Sequence, residues 1–196
     1  MFAMSLSRPM RRSRPRVGAA LAAAGALALL LSGCVGNAPT PSPSPSSDAA
    51  EPIFASDEEA LAAAVEAYER YIKVAAQIGE DGGDDPERLL QVVSEEYSIV
   101  AIADYEDLAD HGYRVTGRNS IDTTSLVESS THEGQAEVTI YGCVRVGTTR
   151  IVDADGKDIT PVDRDTEVPL VLVFAGAEPD GLKLTKSDLW TGDDFC

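Results

Sequence analysis

The chain reads as an α+β protein in which N-terminal helices pack on one face of an antiparallel sheet, preceded by a stretch that builds no core. Three features of the 196-residue sequence carry this expectation. Apolar residues recur at helical spacing from about residue 56 to residue 111, and at alternating spacing after that. Helices first and strands afterwards favour an antiparallel sheet with its helices on one side over a parallel sheet with interleaved helices. The residues before 56 are an arginine-headed apolar run and then a proline-serine tract, neither patterned to cover a sheet. The length left over suits one domain.

The first helix is announced by Ser56 followed three places on by Glu59, a capping box, with acids in the first turn opposing the positive helix end. Leu61, Val65, Tyr68, Ile72 and Ala75 or Ala76 then form one apolar stripe. The run "EDGGDDPE" breaks it, and Asp85 with Pro86 opens a second helix carrying Leu89, Val92, Val93 and Tyr97. A third helix, "IVAIADYEDLADHG", stops at Gly112, where the missing Cβ suits a left-handed residue.

Residues 118–127 are polar and threonine-rich, a strand placed near a sheet edge. The longer run "QAEVTIYGCVRVGTTRIV" puts Ala136, Val138, Ile140, Val144 and Val146 on one face and Glu137, Tyr141, Cys143 and Arg145 on the other. A turn through Asp155-Gly156 follows. "EVPLVLVFAG" is apolar on both faces, as a covered central strand should be, and Glu178-Pro179-Asp180-Gly181 turns the chain into "LKLTKSDLW".

The N-terminus carries an address. Five arginines and no acid precede a short Ala/Leu body over residues 17–31, the layout of a secretory signal. At 1.5 Å per helical residue that body spans about 22 Å, short of the ~30 Å that a lasting transmembrane helix must cross. The exit, Leu31-Ser32-Gly33-Cys34, resembles the lipobox of bacterial lipoproteins. That resemblance implies a signal peptide over 1–33, diacylation of Cys34 as the first mature residue, and anchoring at the extracytoplasmic face of the cell membrane. Two acyl chains hold stably where one is marginal. Residues 34–55 follow as a lipidated Pro/Ser-rich linker, a core-free stalk that alternating proline keeps extended at about 3.1 Å per residue. The domain proper is expected over 56–196.

Charge narrows the partners. The whole chain has a formal charge of −17, yet five of its 16 basic residues and none of its 33 acids precede Cys34, leaving the remainder near −22. Clustered Lys/Arg of the kind that tracks phosphates is absent, so nucleic acid is not expected as a partner. High negative charge also keeps an extracytoplasmic domain soluble.

The order of parts resembles small actinobacterial lipoproteins whose domain is of the nuclear-transport-factor-like, cystatin-like cone type. The landmarks are the N-terminal helices, the "HGYRVTGRNSI" junction, the long hairpin strands with Cys143, the D-G turn, and Trp190 before Cys196. That superfamily includes polyketide cyclases, ketosteroid isomerases and dehydratases beside many noncatalytic binding or assembly domains, and a shared fold does not choose among them. With Cys34 acylated, Cys143 and Cys196 remain as an even pair in an oxidising compartment and are expected to bond to each other.

No acid-base pair stands out by spacing. Tyr68, Tyr71, Asp104, Tyr105 and Tyr141 are the side chains that would serve an isomerase or cyclase inside a cone, against a structural reading in which the tyrosines supply core bulk. His111 and His132 are isolated, and the oxygen-rich "DGGDDPE" and "DADGKD" lack the ligand spacing of a calcium loop. No catalytic, metal or cofactor site is therefore expected. The expectation is a noncatalytic domain that binds an envelope protein or a small apolar ligand, with assembly through the sheet face or a lipid-anchored enzyme as alternatives.

Overall fold

The computed structural model describes residues 52–193 with Phe195 and Cys196. The expected signal peptide over 1–33, Cys34 and nearly all of the expected linker lie outside them. The folded part begins earlier than Ser56: Phe54 is buried, and the Ile53 amide donates to Thr131 Oγ1 at 3.3 Å.

Helix α1 runs Asp57–Glu80. Its cap is close to the expected box, with the Glu59 amide donating to Ser56 Oγ at 3.2 Å, while Glu59 Oε2 reaches back to the Ala55 amide at 2.8 Å. The most deeply buried stripe is Ala60, Ala64, Ala67, Tyr68 and Ile72; Leu61 and Val65 pack only partly against the core. Small side chains let the helix axis approach the sheet, so the buried face is turned towards the alanines and away from the bulkier residues that periodicity favours.

The second expected helix is not continuous. A 3₁₀ turn at Pro86–Gln91 buries Leu89 and stops, and Tyr97 belongs instead to helix α2, Glu95–Asp110. The residues between serve as a strand would: Val93 bridges Leu184, with the Leu184 amide on Val92 O at 3.0 Å and the Ser94 amide on Leu184 O at 2.9 Å. Tertiary pairing thus overrides a local helical pattern, and it covers part of an otherwise open strand edge. Ser94 then caps α2, accepting from the Tyr97 amide at 3.2 Å, ahead of Glu95 and Glu96. Ser94→Ala should cost about 1 kcal/mol of stability in urea unfolding; no change would mean that the first turn of α2 contributes nothing. The helix ends as expected at Gly112, where the Tyr113 amide reaches Leu108 O and the Gly112 amide reaches Ala109 O, the Schellman arrangement.

The strands are β1 (Arg114–Thr116), β2 (Ser120–His132), β3 (Gln135–Arg145), β4 (Arg150–Val152), β5 (Glu167–Gly176) and β6 (Lys183–Leu189). They form a four-stranded antiparallel sheet, β2-β3-β5-β6, and a two-stranded antiparallel ribbon, β1-β4. This is the expected α+β arrangement, an open antiparallel sheet with helices packed against it. The polar β2 is an edge strand, as anticipated, though it runs on to His132. A two-residue turn at Glu133-Gly134, with φ 51° and 77°, joins it to β3.

The single long strand expected through residue 152 is broken after Arg145. The Thr149 amide turns back to Val146 O at 3.1 Å, and the Arg164 guanidinium donates to Val146 O at 2.9 Å and Thr149 Oγ1 at 3.1 Å. That clasp frees β4 to pair with β1. Inside, Val138, Ile140 and Val144 from β3 meet Leu172 and Phe174 from β5 and Leu184 from β6. Tyr68 of α1 sets its ring edge against Phe174, centroids 6.5 Å apart. The inner face of the sheet is therefore filled by side chains.

Candidate functional site

A recess lies at the surface between α1 and the start of β2. It encloses about 440 Å³ and is lined by Glu66, Glu69, Arg70, Ile72 and Lys73 on the helix side. Arg118, Asn119, Ser120 and Ile121 form the opposite wall. Its floor exists because β3 carries a glycine: a Cβ on Gly142 would stand 2.5 Å from Ile121 Cδ1, so the bare backbone is what lets Ile121 lie flat. The far wall is fixed by Thr148, whose hydroxyl donates to Arg118 O at 2.8 Å. Arg70 is committed, donating to Leu182 O at 3.2 Å and pairing with Glu66 at 3.4 Å. A smaller recess of about 70 Å³, lined by Ile72, Ala75, Gly79, Tyr105, Asn119 and Thr149 among others, adjoins at Ile72 and Asn119.

The outer face of the sheet is occupied in part by the chain's own end. Cys143 and Cys196 sit at disulfide distance, Sγ–Sγ 2.27 Å and Cα–Cα 5.4 Å. The tail turns back after β6, with the Trp190 amide on Pro169 O at 2.9 Å and the Trp190 indole N–H on Asp193 O at 2.8 Å. Trp190 and Phe195 pack against Tyr141, centroids 4.8 and 5.6 Å away. Beside this cluster Arg145 bridges Asp122 and Glu167 across three strands and holds the Asp122 carboxyl below its ordinary range.

Of the side chains singled out for catalysis, Tyr68, Tyr71 and Tyr105 gather where α1 meets α2, close enough to Asp104 for its charge to act on the Tyr71 and Tyr105 phenols, and Tyr141 stands apart. Tyr68 and Tyr71, with ring centroids 5.5 Å apart, belong to the layer beneath the sheet, whereas Asp104 is exposed and Tyr141 faces the opposite side under the tail. The Tyr105 hydroxyl donates to Ala75 O at 3.2 Å and ties α2 to α1. Burial pushes the phenols of Tyr68, Tyr71, Tyr97 and Tyr105 up, Tyr105 to about 12, so these groups keep their protons at neutral pH. They act as core bulk with hydrogen-bonding tips.

His111 caps the end of α2, with Nδ1 2.8 Å from Asp107 O and its ring stacked on Tyr113; His132 ends β2 beside the hairpin turn. The two acidic loops are held by protein groups. Arg88 donates to Asp81 Oδ2 and Asp84 O, both at 2.8 Å, and Asp153 Oδ1 accepts from the Asp155 and Lys157 amides at 3.1 and 2.9 Å.

Sequence reasoning missed an exposed apolar pair on α2; Val162 and Leu189 are exposed singly elsewhere. Helix α2 contains no basic residue, and Glu95, Glu96, Asp104, Glu106, Asp107 and Asp110 are all exposed on it. Amid these acids Ile99 is 74% and Val100 62% exposed, and Leu90 of the preceding 3₁₀ turn is 42% exposed. An apolar pair beside Ser98, which is buried, was legible only once the helix was known to start at Glu95.

No protein family matches the chain, and no curated protein sequence does. Among solved structures it is similar to the crystal structure of the intermembrane space region of the chloroplast protein ARC6, at 12% identity and a TM-score of 0.47, covering 67% of this chain and 97% of that one. A likeness at that score carries no argument about function.

Proposed function

We propose that this is a noncatalytic lipoprotein, held by Cys34 at the extracytoplasmic face of the cell membrane, whose domain docks an envelope protein through α2. The observation that carries the reading is the exposed Ile99-Val100 pair set among acids. Two adjacent exposed apolar side chains offer area that a partner can cover, and the carboxylates on the same helix favour a partner with basic residues beside an apolar contact. Two features turn the choice towards a protein. The space beneath the sheet is filled by Phe174, Leu172, Ile140 and Tyr68, leaving the small apolar ligand no cavity there. The centre of the outer sheet face, the other docking surface considered, lies under Trp190 and Phe195.

The test is site-specific photocrosslinking in the intact cell. A photoreactive residue at position 99 should give one discrete adduct, and the same residue at position 157, in the turn before Asp158, should give none. Ile99→Asp with Val100→Asp should abolish a crosslink placed at position 96 while changing stability by no more than about 0.5 kcal/mol. Equal labelling from both positions would defeat the reading. The anchor is tested separately: Cys34→Ala should release the protein into the medium or leave an uncleaved precursor, and a processed form that still sediments with membranes would refute lipidation.

A further inference from the structure

We infer that the groove between α1 and the start of β2 is a binding site for a free apolar α-amino acid, independent of the docking face on α2. The argument is an account of which groups in it lack partners. Of the charges lining it, Arg70 and Glu66 are paired with each other. Lys73, Arg118 and Glu69 have no ion-pair partner among the described residues. Asn119 also lines the groove, but its Oδ1 is buried, without a hydrogen-bond partner among the described residues, and has no surface open to a ligand. What remains open is thus two cations and one carboxylate, above an apolar floor of Ile72 and Ile121.

A zwitterion with a short apolar side chain answers each of these groups. Its carboxylate goes to Arg118, whose planar guanidinium suits two-point binding, and to Lys73. Its ammonium goes to Glu69. Its side chain lies on Ile72 and Ile121. A simple anion would leave Glu69 facing it, and a simple cation would leave Arg118 and Lys73 repelling it. The volume of about 440 Å³ is at the lower end of ordinary ligand sites. The receiving wall is already in place, because the Thr148 hydroxyl holds the Arg118 carbonyl and Ser120 pairs with Arg145 in the sheet. The ligand is left to order the exposed side chains of Glu69, Lys73 and Arg118, not the backbone of the wall.

The experiment is titration calorimetry on the full chain in mild detergent, with L-alanine, L-valine, L-leucine, L-methionine and L-phenylalanine as probes. At least one should bind saturably. Its carboxamide, which lacks the carboxylate, and its deaminated acid, which lacks the ammonium, should each bind about tenfold more weakly or worse. Arg118→Ala and Glu69→Gln should give the same loss, and Lys157→Ala, at the turn after Gly156, should leave affinity unchanged. Both groove variants alter exposed side chains, so an unchanged thermal unfolding midpoint without ligand will show that they fold. No saturable binding of any of the five at millimolar concentration overturns the inference. So does a carboxamide that binds as well as its parent, or binding that survives Arg118→Ala.

Discussion

Replacing Cys143 and Cys196 together by alanine should lower the stability of the folded domain by about 4 kcal/mol. The two residues are 53 apart in sequence, and a link of that span removes a large share of the unfolded chain's freedom. The loss should appear in urea unfolding as a lower midpoint, and the unlinked chain, more expanded when unfolded, should show a steeper dependence on urea. The single tryptophan provides a local readout. Trp190 lies between the end of β6 and the linked cysteine and packs on Tyr141, so the tail's release should shift its emission to the red before the domain unfolds. Alanine is the appropriate replacement at Cys143, which is fully buried, because serine would add an unpaired hydroxyl to the same measurement. A double variant within 1 kcal/mol of the parent, with unshifted emission, would mean that the packing of Trp190 and Phe195 on Tyr141 holds the tail unaided.

What could be read from sequence was what depends on local pattern. The Ser56 cap, the stop at Gly112 and the inward face Ala136, Val138, Ile140 and Val144 all follow from spacing, and all stand in the structure. What failed depends on contacts between distant residues. Val92 and Val93 carry a helical pattern but meet Leu184, more than ninety positions on, and become strand-like. Residues 135–152 alternate without a visible break, yet Arg164 reaches back to the carbonyls of Val146 and Thr149 and ends β3. The hairpin at Glu133-Gly134 was hidden because a glutamate stands where asparagine or aspartate usually marks such a turn. The groove was invisible for a related reason. Its two walls are separated by more than forty residues, and nothing in either segment announces that its charges are unpaired. The burial of Asn119 Oδ1 is likewise a property of the assembled wall.

Gly83→Ala should be among the most damaging single substitutions, at about 4 kcal/mol, and it measures how rigidly α1 is set against α2. Gly83 follows α1 with φ 86°, and its amide closes the helix end on Ile78 O at 2.8 Å. A side chain in that left-handed conformation costs about 1–2 kcal/mol wherever it occurs. Here a Cβ would also stand 2.2 Å from Tyr105 O and 3.2 Å from Ala109 Cβ, so the last turns of α2 would have to move. That movement would strain the Tyr105 hydroxyl bond to Ala75 O and the packing of both helices on the core. Forced displacement of well-packed elements adds about 1–3 kcal/mol. Gly134→Ala is the matched control, because Gly134 has φ 77° with nothing within 4 Å of a Cβ. It should cost only the conformational part, about 1 kcal/mol. Urea unfolding of the two variants side by side separates conformation from contact. Equal losses would show that α2 gives way without resistance, and that the proposed docking face on it is not held in one position.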